Sequence, residues 1–226
     1  MSRSQLLKDL VTNTGDLESI LLRLKIILTD LKNEEIMNWV VGELEGYAYE
    51  NVPEYRVIRG SPVGTFDLNL HTRHTNAVVP LENLIPKEVV KDIVHIRVKE
   101  SAASIQNMLK NENQNNYAKT IPTSYCYSIS TEEIQLLGMK VIASSNKLYG
   151  VMSIVKSKLV DIIMELEKQF ENLDDLDIRA QVEEDEAKRE IVIYNLGNII
   201  YEGAIEVGDG NKIKNSRLGN LFGGKK

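Results

Sequence analysis

The spacing of apolar residues predicts helices over the first fifty residues of the chain. Leucines from Leu17 to Leu31 recur at alternating intervals of four and three residues, which places them on one face of a helix. A second apolar stripe runs from Ile36 to Tyr47 after a short polar break. Two amphipathic helices joined by a short connection commonly pack as an antiparallel pair, so we expect a helical hairpin here.

The next part of the chain predicts both strands and helices. In residues 55–70, β-branched and aromatic residues flank the glycine-containing segment 60–64, a pattern typical of two short strands around a loop. Residues 80–111 carry apolar residues at helical spacing and predict helix. Residues 111–120 are almost all polar and predict a loop.

Three further elements are expected before residue 171. The segment YCYSI, residues 125–129, predicts a strand, and the serine, threonine and two glutamates of 130–133 have the capping-box form that starts a helix. Residues 151–170 carry a broad apolar face and predict a long amphipathic helix. On this helix Lys158 is expected to lie on the solvent side.

The composition changes after Phe170. Residues 171–190 are acidic and weakly patterned, which predicts an exposed connector. Residues 191–226 are rich in isoleucine, glycine and asparagine, and an apolar-glycine-Asn/Asp triplet recurs every eleven residues at 196–198, 207–209 and 218–220. Glycine and Asn/Asp tolerate left-handed backbone, so each triplet suits a corner between extended segments.

These patterns together predict an α+β fold. A mainly helical body with short strands is expected over residues 1–170, followed by the acidic connector of 171–190 and a glycine- and asparagine-rich β tail over 191–226. The tail is expected to form β-arcs or a hairpin.

A few β-arcs leave strand edges uncovered, so the tail predicts self-association. A hairpin docked on its own body is the alternative. The residues expected to mediate assembly lie along the strands and corners of the tail: Ile193, Asn195, Gly197, Asn198, Ile199, Tyr201, Ile205, Val207, Gly208, Asp209, Asn211, Gly219 and Asn220.

Charge adds a second possibility for the tail. The whole chain carries a formal net charge of -6, yet residues 210–226 contain basic residues and no acidic ones. Lys212, Lys214 and Arg217 are therefore candidate contacts to nucleic acid. A solvated basic end is the favoured interpretation, because surface charge runs usually only solvate a protein.

The candidate chemistry elsewhere is sparse. His71 and His74 have no carboxylate between them to complete a metal site, and Cys126 has no adjacent base, so a buried structural thiol is favoured over a nucleophile. We predict no catalytic residues, no metal and no cofactor. The sequence therefore favours a protein that is not an enzyme. A nuclease-like toxic effector is the alternative, because residues that are far apart in sequence can converge in a fold.

The composition is that of a globular protein. With 226 residues, 42% of them hydrophobic, the chain can bury a core. It lacks the run of about 18 apolar residues that a membrane span needs, and its start has no secretory signal, so we expect a cytoplasmic protein without a membrane partner. One cysteine cannot form an internal disulfide.

Three stretches together resemble the AbiTii family of bacterial abortive-infection proteins. They are residues 6–47 with the pattern W-x-x-x-E-L-x-G-Y at Trp39 to Tyr47, the strand-like YRVIRGSPVGTF that begins at Tyr55, and the helix of 151–170 followed by the glycine-rich tail. The resemblance implies defence against phage, in which infected cells stop supporting phage growth. With the tail, it favours a homo-oligomer that responds to a phage or host protein.

Overall fold

Three helices begin the chain in the computed structural model, which describes residues 3–12, 14–110 and 116–201. They are α1 (Gln5–Thr12), α2 (Leu17–Thr29) and α3 (Glu34–Glu45). The apolar stripe of α2 is buried as predicted, and α2 packs against α3. The side chain of Asn33 caps α3 by accepting a 2.9 Å hydrogen bond from the amide of Ile36.

Strands form one ribbon and one sheet. The ribbon pairs β1 (Val57–Arg59) with β4 (His95–Arg97) in antiparallel orientation. The strands of the sheet, in chain order, are β2 (Ser61–Leu68), β3 (Thr72–Val78), β5 (Asn116–Ile121) and β6 (Ile134–Ser144). The sheet is antiparallel in the order β3-β2-β6-β5.

Six more helices complete the described structure. They are α4 (Lys87–Val94), α5 (Ala102–Lys110), α6 (Thr123–Ser128), α7 (Ser145–Gln169), α8 (Arg179–Glu184) and α9 (Glu186–Tyr201). The long helix α7 lies at the centre, because it packs against α1, α5 and α9. Apolar residues of the helices and of the sheet form one continuous core. The predicted α+β class is confirmed.

The structure corrects the middle of the chain in three places. Residues 61–64 belong to β2, so only Gly60 lies between the two strands that were predicted to flank a longer loop. The predicted helix of 80–111 is two helices, α4 and α5, separated by β4. Residues 116–120, predicted as loop, form most of β5, whose pairing with β6 compensates for its polar composition.

Two predictions around Cys126 are also wrong. Residues 125–129 were expected as a strand, but α6 follows Pro122, whose fixed φ of -55° suits a helix start, and it buries Cys126. The capping-box segment starts no helix. Instead the hydroxyl of Thr131 accepts a 3.1 Å hydrogen bond from the amide of Ile134, which closes a turn before β6. Hydroxyl side chains close turns by the same bond with which they cap helices.

The C-terminal part departs furthest from expectation. Residues 171–190 contain a 3₁₀ turn, α8 and the start of α9, and they bury Leu173, Ile178 and Val182. Residues 191–201 are helical where β-arcs were predicted, because Val192, Leu196 and Ile200 recur every fourth residue. On a helix this spacing makes one stripe, and it packs against α7 and α3.

Candidate functional site

A buried polar cluster lies where α3 meets the ribbon. We call it the Glu43 cluster and define it as Trp39, Glu43, Tyr47, Tyr55 and Arg56. Trp39 stands four residues before Glu43, so both face the same side of α3. Tyr47 follows directly after Gly46, where the helix has ended. Tyr55 and Arg56 come from the 3₁₀ turn Glu54–Arg56, directly before β1.

The carboxylate of Glu43 is the acceptor at the centre of this cluster. Its Oε1 accepts hydrogen bonds from the Tyr55 hydroxyl at 2.7 Å, the Tyr47 hydroxyl at 2.9 Å and Arg56 Nε at 3.0 Å. Its Oε2 accepts from Arg56 Nη2, which makes the ion pair bidentate. The indole N–H of Trp39 donates to the Tyr55 hydroxyl at 2.8 Å.

Arg56 connects this cluster to the segment after β4. Its Nη1 donates to the carbonyl of Glu100 at 2.7 Å and to that of Val98 at 3.4 Å. The guanidinium also lies 5.0 Å from the ring centroid of Tyr47, within cation-π range. One side chain therefore ties the helical hairpin to the ribbon.

Gly46 has the backbone conformation that ends α3 beside the Lys99 carbonyl. Its φ of +95° lies in a region that residues with a Cβ rarely adopt, and an added Cβ would lie 2.7 Å from the carbonyl oxygen of Lys99. That carbonyl accepts a 2.8 Å hydrogen bond from the amide of Tyr47. A glycine at position 46 therefore allows α3 to end next to the segment that follows β4.

The electrostatics of the cluster favour a structural role. Burial, followed by the charge of Glu43, raises the pKa of Tyr47 and of Tyr55 well above the ordinary value of 10.0. Burial alone would lower the pKa of Arg56, but its interaction with Glu43 raises it. Throughout the described residues, no buried side-chain nitrogen or oxygen lacks a hydrogen-bond partner. The cluster therefore holds elements together and offers no free acid or base.

A groove of about 840 Å³ lies beside Tyr55. Its walls are the 51–55 segment, the face of α7 that carries Ser157 and Asp161, and the last turn of α9. Lys158 was predicted to face solvent, yet it is buried here and donates to the carbonyl of Ile199. The last carbonyls of a helix lack partners within the helix, so Lys158 caps α9.

All the predicted assembly residues of α9 except Tyr201 are half-buried. Asn195 donates from Nδ2 to Glu165 Oε1 at 2.7 Å, and Ile193 and Ile199 pack against the core. The Tyr201 hydroxyl donates to the carbonyl of Glu35 at 3.1 Å. Gly197 and Asn198 are half-buried within the helix. The remaining predicted residues lie outside the described part of the chain: Ile205, Val207, Gly208, Asp209, Asn211, Lys212, Lys214, Arg217, Gly219 and Asn220.

The histidine and cysteine candidates do not come together. His74 on β3 stacks on Phe66 of β2, with ring centroids 5.1 Å apart. No group of three or more potential metal ligands forms within residues 3–12, 14–110 and 116–201. Cys126 is fully buried as expected, and burial raises the pKa of its thiol, which opposes nucleophilic reactivity.

Comparison with protein families decides the relationship of this chain. The model of AbiTii, an abortive-infection family, matches residues 4–191. The chain belongs to the AbiTii family. No curated protein and no solved structure matches it significantly. None of the helices in the described part of this AbiTii protein is long and apolar enough to cross a membrane.

The whole Glu43 cluster lies within the AbiTii match. Its residues are those of the pattern W-x-x-x-E-L-x-G-Y and of the following Tyr55 and Arg56, which the sequence alone left without roles. One signal pointed to a buried carboxylate. Glu43 lies three residues after Val40 and seven after Ile36, on the stripe that packs into the core.

Proposed function

We propose that this AbiTii protein acts in abortive infection by self-association through α9 and the tail that follows it. Membership of the family suggests abortive-infection defence against phage. The assembly step is an inference from the surface of α9 and from the sequence of residues 202–226. A second copy of the same chain is the proposed partner.

The observation that carries this proposal is an exposed apolar stripe on α9. Ile191 and Tyr194 are 54% and 52% exposed, and Tyr201, seven residues after Tyr194, lies on the same side of the helix. The opposite side carries the buried Val192 and Leu196. A helix that is apolar on both sides is normally covered on both sides.

The sequence of the tail also favours a second copy of the chain as the partner. It continues directly from Tyr201 and contains two of the three apolar-glycine-Asn/Asp triplets, at 207–209 and 218–220. The third triplet, at 196–198, lies in α9 and is no longer part of a β-arc prediction. We therefore place the assembly surface on the outer side of α9 and on residues 202–226.

The test compares molar mass with phage protection at matched protein levels. Multi-angle light scattering is applied to the full chain, to a chain ending at Tyr201, and to the double variant I191S/Y194S. Tyr127→Ser is the matched control, because Tyr127 is also an exposed helical tyrosine, at 60% exposure, and lies on α6. Helical circular dichroism verifies that each variant is folded.

We expect the full chain and Tyr127→Ser to share an oligomeric mass and to protect cells. The double variant and the shortened chain should have a lower mass and protect less. If folded variants keep the parent mass, a tail docked on its own body replaces self-association. If mass falls while protection stays intact, assembly is not the mechanism of defence.

A further inference from the structure

The outer face of the β1–β4 ribbon is basic. Arg59 and His95 are paired across the ribbon, and Arg97 follows two residues after His95, so their side chains share one face. Ile58 and Ile96 alternate with them and are buried. Residues two apart on a strand are separated by about 6.7 Å, so the basic side chains form a regular row.

Helix α4 adds two lysines to this row. Lys87 and Lys91 stand four residues apart and therefore share one side of the helix. With Arg59 and His95 they line a cleft of about 320 Å³, in which Glu82 is the one carboxylate among the lining residues. We call Arg59, Lys87, Lys91, His95 and Arg97 the basic face.

Among the described residues, the arginines and lysines of the basic face make no ion pair, even with Glu82 in the same cleft. Other arginines of the protein do form ion pairs. The acidic residues of α4, Glu88 and Asp92, do not line the cleft. In a chain of net charge -6, a local excess of unpaired positive charge favours an anionic partner.

An exposed aromatic ring borders the basic face. Tyr49 is 56% exposed, and the guanidinium of Arg97 lies 5.1 Å from its ring centroid. Cations that follow a phosphate backbone, next to an aromatic ring on which a base can stack, are the features with which proteins bind single strands. Bases within a duplex are already stacked on one another, so the ring favours a single strand.

We propose that the basic face binds single-stranded nucleic acid. Arg59, Lys87, Lys91 and Arg97 contact successive phosphates, and the ring of Tyr49 stacks on an unpaired base. The contacts are to the backbone and to a base plane, so binding is independent of sequence. The residues of this surface belong to a 3₁₀ turn, β1, α4 and β4, not to α9.

Fluorescence anisotropy on the full chain tests the proposal with a labelled single strand of about 20 nucleotides. Four phosphate contacts predict a slope of about -2.8 for log K against log salt, so affinity should fall about fiftyfold between about 50 mM and 200 mM salt. For K87Q/K91Q the slope should be about -1.4, so affinity should fall about sevenfold over the same range of salt. Tyr49→Ala should weaken binding about tenfold and leave the slope unchanged.

The matched control is K8Q/K147Q, which removes the same charge from exposed lysines on α1 and α7. It should bind like the parent. The full-chain variant K212Q/K214Q/R217Q should keep most of the affinity. The proposal is overturned if only the tail variant loses binding, if the control loses as much as K87Q/K91Q, if a duplex binds as tightly as the single strand, or if a poly-glutamate peptide binds more tightly than either.

Discussion

Arg56 and Glu43 form an ion pair in which both side chains are fully buried. Removing two charges from water is costly, and two tyrosine hydroxyls and two backbone carbonyls offset that cost with further hydrogen bonds. The pair therefore depends on several elements being correctly placed together. This dependence makes the pair a sensitive probe of the fold.

Removing one partner of the pair should be strongly destabilising. Glu43→Gln keeps the shape of the side chain but leaves the Arg56 charge buried without a counter-charge, so we expect a loss of about 3 to 5 kcal/mol in unfolding free energy. Urea denaturation measures it. The exposed pair Arg73–Asp67 provides the control, and Asp67→Asn should leave the unfolding midpoint nearly unchanged.

Replacing both partners should cost less than the sum of the single changes. In E43M/R56M no charge remains buried, so the double variant should be more stable than additivity predicts by about 1 to 3 kcal/mol. The comparison requires Glu43→Met and Arg56→Met as single variants. If the changes in unfolding free energy were strictly additive, the two residues would stabilise the fold independently. That result would contradict the hydrogen bonds seen between them.

Two glycines should respond in opposite directions to alanine. At Gly46 the positive φ and the nearby Lys99 carbonyl make a Cβ unfavourable, so Gly46→Ala should lose about 1 to 3 kcal/mol. Gly150 lies in α7 with nothing within 4 Å of an added Cβ, so Gly150→Ala should gain up to about 1 kcal/mol. Thermal unfolding compares them, and equal shifts would contradict the role of Gly46.

Gly197→Ala distinguishes the helix from the β-arc that the sequence suggested. Gly197 lies inside α9 and has open space around an added Cβ, so alanine should stabilise the protein by about 0.5 to 1 kcal/mol through its higher helix propensity. At a corner with positive φ, the same change would be destabilising. The sign of the shift in the denaturant midpoint therefore decides the conformation.

Alkaline pH should unfold the protein through its buried tyrosines. Folded Tyr47 and Tyr55 have pKa values above the unfolded value of 10.0, so their contribution to stability is complete below pH 10 and declines as pH rises above it. Tyr47 and Tyr55 should ionise only with unfolding. Tyrosinate absorbance recorded with circular dichroism tests whether their ionisation coincides with the loss of helix. A single ionisation step of all tyrosines with intact helices would contradict it.

Two truncations should distinguish the contribution of α9 to stability from that of the tail. A chain ending at Tyr201 keeps every described element, whereas one ending at Glu190 loses the buried side chains of Val192, Leu196 and Ile200. Their burial contributes about 5 to 9 kcal/mol, which is comparable to the total stability of a domain. Circular dichroism should show the shorter chain largely unfolded and the longer one folded.

Sequence patterns predicted the parts of this fold that are long and periodic. Helices α2, α3 and α7 each carry a buried stripe over three or more turns, and that repetition outweighs local preferences. Short elements offer no such repetition. Strand β5 and helix α6 have six residues each, and their conformations follow from pairing with β6 and from Pro122.

Helix α9 shows why the last prediction failed. Its isoleucines, valine and tyrosines favour strands in isolation, but one apolar stripe reaches α7 and α3, and this packing overrides propensity. The basic face was missed for another reason. Arg59 and Arg97 are far apart in sequence, and only the pairing of β1 with β4 brings them together.

The contacts of the first residues have a consequence for synthesis. Arg3 and Ser4 bond to Glu167, more than 160 residues later in the chain. At translation rates of about 5 to 20 residues per second, these partners emerge roughly 8 to 30 seconds apart. Helix α1 therefore leaves the ribosome well before α7, one of the helices that it packs against, and this contact forms only once α7 has been made.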